Sequence, residues 1–174
     1  MKKSGRSPAN RSSAEDQSAG AIGAFRVLVV HGANLNLLGE REPEIYGRTT
    51  LAELDRELIE LGREFEMRVE TFQSNSEGAI VERIHQARGL IDVLLINPGS
   101  YTHTSVAIRD AILAIKVPTV EIHMSNVYRR EPMRHHSTIS DIVSGRIMGF
   151  GAESYTLALR SARGIVKAAR ADRH

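Results

Sequence analysis

Apolar residues along this chain follow two alternating periods. Runs with strand character occupy Phe25–Val30, Met67–Phe72, Asp92–Ile96, Pro118–Ile122 and Arg146–Phe150. The third and fourth are nearly continuous apolar runs, as expected of parallel strands covered on both faces. Between the runs the period becomes helical. Leu51, Leu54, Leu58, Leu61 and Phe65 recur at steps of three and four, predicting a helix over 51–65. Thr50 and Glu53 supply a capping box ahead of it, satisfying two donors that the first turn would leave unpaired. Further helices are predicted at about 77–88 (Ile80, Ile84, Ala87), 104–115 (Ile108, Ile112, Ile115) and 153–169 (Leu159, Ala162, Val166).

Five strands alternating with helices imply an α/β domain, a parallel sheet with helices on both faces. Right-handed crossovers favour the flavodoxin-like doubly wound order 2-1-3-4-5. One such catalytic domain over residues 25–174 accounts for the length. Residues 1–24 are rich in Ser, Ala and Gly with no apolar period, so a disordered N-terminal extension is expected there. Lys2 and Lys3 are not followed by the apolar stretch of a secretory signal, and a cytoplasmic protein is expected.

Composition narrows the chemistry. There is no cysteine, which removes disulfides, a thiolate nucleophile and Cys-based metal sites. The net charge of +2 resides in the first 25 residues, so the remainder is formally neutral and nucleic acid is a weak expectation. No run of apolar residues is long enough to cross a bilayer. Neither a dinucleotide-binding nor a P-loop glycine pattern is present, and His135-His136 lacks the spacing of a helical zinc site. The four lysines, Lys2, Lys3, Lys116 and Lys167, fall in the tail or near helix ends, away from any site at the strand ends. That argues against a Schiff base. A carboxylate–His metal site stays open without specific support, and acid–base chemistry is the expectation that remains.

Open parallel sheets bind ligands beyond the carboxyl ends of their strands. There the chain places His31-Gly32-Ala33-Asn34-Leu35-Asn36, Asn97-Pro98-Gly99-Ser100-Tyr101-Thr102-His103 and Glu121-Ile122-His123-Met124-Ser125-Asn126. Glu121 and His123 are two apart on a strand and share a face. A carboxylate beside an imidazole fixes its tautomer and favours its protonated form, which suits a proton donor. The same pair also suits a purely structural hydrogen bond. The Leu37–Arg48 segment carries Gly39, Pro43 and Gly47, and it reads as a lid over the strand ends or as a plain surface loop. On it, Arg41 stands five residues before Tyr46, and a guanidinium near a phenol favours phenolate. Bringing a phenol from ~10 to near 7 takes roughly 4 kcal/mol. A second cation is therefore expected, with Arg129, Arg130 and Arg134 as candidates.

Taken together, HGANLNLLGEREPEIYG (31–47), QSNSEG (73–78), NPGSYTHTSVAIRDA (97–111), EIHMSN (121–126) and RREPMRHHS (129–137) resemble type II 3-dehydroquinate dehydratase. The resemblance runs from about Phe25 to about Val166, in order. Ala33 stands where that family usually has Pro, which would loosen the turn after the first strand.

The resemblance implies cofactor-independent dehydration of 3-dehydroquinate to 3-dehydroshikimate, by anti elimination through an enolate. Carried over by motif position, Tyr46 is the base and Arg41 lowers its pKa. Asn34 helps hold a water near the enolate oxygen, and His123, oriented by Glu121, protonates the departing hydroxyl. Asn97 and His103 bind substrate hydroxyls, Met124 and Ser125 offer backbone amides to its carboxylate, and Arg134 binds a hydroxyl or the carboxylate. Asp110 matches a residue contributed by a neighbouring subunit, within trimers assembled into a dodecamer. A catalytically silent flavodoxin-like module binding an anion or a partner at the same edge is the competing reading; it needs neither Arg41 with Tyr46 nor the Glu121–His123 pair. A receiver-type domain would want acidic groups where His31 and Asn97 stand.

Overall fold

The computed structural model describes residues 25–40 and 48–171. Its strands are β1 (Phe25–His31), β2 (Met67–Gln73), β3 (Val93–Asn97), β4 (Thr119–His123) and β5 (Gly145–Met148). They form one parallel sheet in the order β2-β1-β3-β4-β5, the doubly wound arrangement expected from the alternating periods. The helices are α1 (Leu51–Glu64), α2 (Glu77–Gln86), α3 (Val106–Ile115) and α4 (Glu153–Ala171). α1 begins where the sequence places it: Thr50 Oγ1 accepts from the Glu53 amide at 3.3 Å, and the Glu53 carboxylate accepts from the Thr50 amide at 2.9 Å. Among the described residues no helix is long and apolar enough to cross a membrane.

Alternation along the strands splits the core into two layers. Val27 and Val29 of β1, Val93 and Leu95 of β3, and Val120 and Ile122 of β4 pack against Leu54 and Leu58 of α1 and Tyr155 and Leu159 of α4. Leu28, Val30, Leu94 and Ile96 face the other way, onto Ile80 and Ile84 of α2 and Ile108 and Ile112 of α3. All five residues of β3 and all five of β4 are buried, which is why their sequences lack alternation.

Most boundaries shift by one or two residues from the periodicity, and two of these shifts have a visible cause. β5 stops at Met148 rather than Phe150, because Gly149 turns the chain at φ +96° and its amide bonds the His123 carbonyl at 3.3 Å. Phe150 is then left exposed. α3 starts at Val106 behind a Ser105 cap, since residues Gly99–His103 coil into a separate 3-10 turn that brings His103 back over the sheet edge.

The loops after β1 and β3 meet backbone to backbone. A Cβ on Gly32 would lie 2.1 Å from the Pro98 carbonyl oxygen, and one on Gly99 would lie 2.6 Å from that of Ala33. Only glycine permits that approach. It fixes the floor of the depression above the strand ends.

Candidate active site

At the carboxyl edge of β1, β3 and β4 lies a cavity of about 250 Å3. Asn34, Asn97, His103, His123, Met124, Ser125 and Arg134 line it, so seven residues singled out from the sequence converge. Glu121 sits behind His123, wholly buried. Asp110 is exposed on α3 and is not part of the lining. Arg41 and Tyr46 lie outside the described residues, as does most of the expected lid.

The centre of the site is a buried carboxylate with three partners. Glu121 Oε1 accepts from His123 Nε2 at 2.7 Å, and Ser137 Oγ approaches both carboxylate oxygens at 2.9 and 3.0 Å. Arg146 stands beside Glu121 in the β4–β5 register, its Nε 2.9 Å from Oε2. Burial opposes ionisation of Glu121. The bond and charge of His123, the Arg146 guanidinium and the Ser137 hydroxyl outweigh it and hold the carboxyl below its ordinary range. A charged carboxylate only accepts, so Nε2 of His123 carries a hydrogen. Its Nδ1 is then the nitrogen free of Glu121, on a ring that borders the cavity. Protonated there, His123 is an acid whose cation rests on a buried anion.

The surrounding groups suit hydroxyls. His103 Nδ1 lies 2.7 Å from the His136 carbonyl, which only accepts, so Nδ1–H donates and Nε2 remains an acceptor. Asn97 is held at both ends of its amide: Oδ1 accepts from the Gly99 amide at 3.1 Å, and Nδ2 donates to Tyr155 at 3.0 Å. Asn34 adopts φ 68°, and its backbone amide donates to Asn75 Oδ1 at 2.8 Å. Asn tolerates this left-handed conformation better than most residues. Asn75 thus braces the turn in which Ala33 stands where the resembled family has proline. Of the candidate second cations, Arg130 and Arg134 border the cavity and Arg129 does not. Glu131, 2.9 Å from Arg134 Nε and 3.6 Å from Arg130 Nε, offsets part of their charge.

Several supporting residues were given no role from the sequence, although Asn75 and Ser137 lie in the motifs quoted for the resemblance. Ser137 and Arg146 reach Glu121 from a loop and from the edge strand, and no local spacing ties them to it. Asn75 and Tyr155 act through long-range bonds. His31 shares the strand-end segment with Asn34 but is fully buried, with both ring nitrogens engaged inside the protein.

Comparison with known proteins agrees along most of the chain. The family profile described as Dehydroquinase class II matches residues 25–163. A 3-dehydroquinate dehydratase of Enterobacter sp. (strain 638) is 54% identical over 138 residues, covering 79% of this chain and 92% of that protein. One from Nostoc sp. (strain PCC 7120 / SAG 25.82 / UTEX 2576) is 56% identical over 134 residues, covering 77% and 91%. The crystal structure of type II dehydroquinase from Propionibacterium acnes superposes with a TM-score of 0.76 at 44% identity, covering 79% of this chain and 94% of its own. With a five-stranded parallel sheet and a family match over most of its length, this chain belongs to the class II dehydroquinases.

Proposed function

We propose that this chain is a hydro-lyase that dehydrates 3-dehydroquinate to 3-dehydroshikimate in the shikimate pathway, using no cofactor or metal. Family membership supports the overall reaction. The observation that carries the mechanism is His123, backed by buried Glu121 and bordering a cavity that Asn34, Asn97, His103 and Arg134 also line.

The elimination breaks a C–H bond alpha to the ketone and then a C–O bond beta to it. Tyr46, its pKa lowered by Arg41 and the Arg130/Arg134 field, takes the proton as phenolate and leaves an enolate. Asn34 holds a water against the enolate oxygen. His123 gives its proton to the departing hydroxyl, which leaves as water, and Glu121 balances the charge of the imidazolium before transfer. Asn97 and His103 grip ring hydroxyls. The amides of Met124 and Ser125 receive the substrate carboxylate, with Arg134 on a hydroxyl or that carboxylate. Asp110, exposed and outside its own cavity, is offered to the site of a neighbouring copy, within trimers assembled into a dodecamer. The enzyme works in the cytoplasm.

The test is an ultraviolet assay of the purified chain with 3-dehydroquinate, following the conjugated enone product, in EDTA and after borohydride. Product formation unaffected by either treatment is expected. Activity lost in EDTA overturns the metal-free reading, and borohydride inactivation overturns the absence of a Schiff base. No product from folded, oligomeric protein favours the silent binding module.

A further inference from the structure

His31 and Asn97 are register partners at the carboxyl ends of β1 and β3. Both side chains reach the same tyrosine of α4. Asn97 Nδ2 lies 3.0 Å from Tyr155 Oη, Tyr155 Oη lies 3.1 Å from His31 Nδ1, and His31 Nε2 lies 2.9 Å from Asp55 Oδ1 on α1. Tyr155 and His31 are wholly buried, whereas the Asp55 side chain is partly exposed.

The polarity of this chain of bonds follows from one end. An ionised carboxylate only accepts, so His31 Nε2 carries the hydrogen, and in the tautomer with that single hydrogen Nδ1 is an acceptor. The Tyr155 hydroxyl therefore donates to His31, and its remaining lone pairs accept from Asn97. Burial pushes the Tyr155 phenol far above its ordinary range, the bond from Asn97 opposes this, and the charge of Asp55 adds to it; the hydroxyl keeps its proton. At the far end, Asn97 Oδ1 accepts from Gly99. The amide plane is thereby pinned at both ends, leaving one Nδ2 hydrogen and one Oδ1 lone pair for the cavity.

We propose that Asp55, His31 and Tyr155 are positioning residues that act through Asn97, fixing which hydrogen-bonding groups the cavity offers to a substrate hydroxyl. The proposal rests on the reading of Asn97 as a substrate ligand. Nothing passes along the chain during turnover: His31 has no access to the cavity, and its role is orientation.

A double-mutant cycle on kcat/KM tests this. Tyr155→Phe preserves the ring and removes the hydroxyl, and should lower kcat/KM about fivefold to tenfold, the scale of one hydrogen bond, mainly through KM. In an Asn97→Ala background the same change should have almost no further effect on kcat/KM, although melting temperature still falls. Independent, multiplying effects would overturn the proposal, since Tyr155 would then act by general stability. Asp55→Ala and Asp55→Asn provide a milder pair at the rim should Tyr155→Phe fail to fold. Asp55→Ala should raise KM, and Asp55→Asn, which keeps an acceptor oxygen for Nε2–H, should restore it. Equal KM in the two Asp55 variants would also overturn the proposal. An Asn97→Ala enzyme with unchanged kcat/KM would instead remove the reading of Asn97 itself, and the relay with it.

Discussion

Among the described residues, two histidine–carboxylate pairs of nearly equal length are arranged in opposite ways. His123 and Glu121 are 2.7 Å apart; His31 and Asp55 are 2.9 Å apart. In the first pair the carboxylate is sealed and the imidazole borders the cavity. In the second the imidazole is sealed and the carboxylate is partly exposed. Burying the anion beneath the ring, with Arg146 and Ser137 to keep it ionised, leaves His123 a nitrogen that a ligand can reach. Burying the ring and engaging both of its nitrogens leaves His31 able only to orient its neighbours. Residue type and spacing are thus insufficient to assign an acid; which ring nitrogen has access decides it.

The largest expected contrast is kinetic. His123→Ala should lower kcat by about 10²–10⁴-fold, the usual worth of a general acid. His31→Phe should keep kcat within about tenfold, with its loss seen in KM and melting temperature. Comparable kcat losses in steady-state assays would erase the distinction between the pairs. Next comes Glu121→Ala, which strands the Arg146 charge in a largely buried place and should cost about 3 kcal/mol in denaturant unfolding. Removing a partner from the other pair should cost less. His31→Phe leaves the Tyr155 hydroxyl without its acceptor, a loss of about 1–3 kcal/mol by the same measurement.

A pH series sharpens the comparison further. Because the folded-state pKa of Glu121 is lowered from 4.5, its stabilisation is fully present above that value. It is lost as pH falls through the lower folded value. Glu121→Gln should flatten this acid limb in urea melts taken at successive pH values, and an unchanged limb would mean that other carboxylates carry it. The smallest effect is expected at the α1 cap, where Thr50 bonds to Glu53 and to neither pair. Thr50→Ala removes one half of the α1 capping box and should cost about 1 kcal/mol of stability. Its kcat should equal that of the unaltered chain, and a large drop would tie the cap itself to the site, beyond the bonds it makes with Glu53.

Much of the fold is legible in the sequence because it rests on local periodicity. β3 and β4 show as unbroken apolar runs since both their faces are covered, and α1 shows as a three-and-four stripe with a cap. β5 is less well marked. Its end is set by a positive-φ glycine tied to the carbonyl of His123, a contact across strands that residue order does not contain. The site divides in the same way. Glu121 and His123 are paired by the two-residue period of one strand, so their bond is written locally. Ser137, 16 residues from Glu121, and Arg146, 25 residues away, join it only once the loop after β4 has folded back and β5 has taken its register.

Sequence by itself determined the alternating α/β order, the face shared by Glu121 and His123, and the strand ends at which Asn34, Asn97 and His103 gather. Each follows from a repeat of two or of about 3.6 residues, or from the rule that places ligands beyond parallel strand ends. Tertiary structure alone decided which histidine opens to the cavity, which carboxylate is buried, and how Tyr155 comes to join β1 to β3. Access and burial belong to surfaces that meet from distant parts of the chain, and no stretch of residues specifies them until its neighbours are in place.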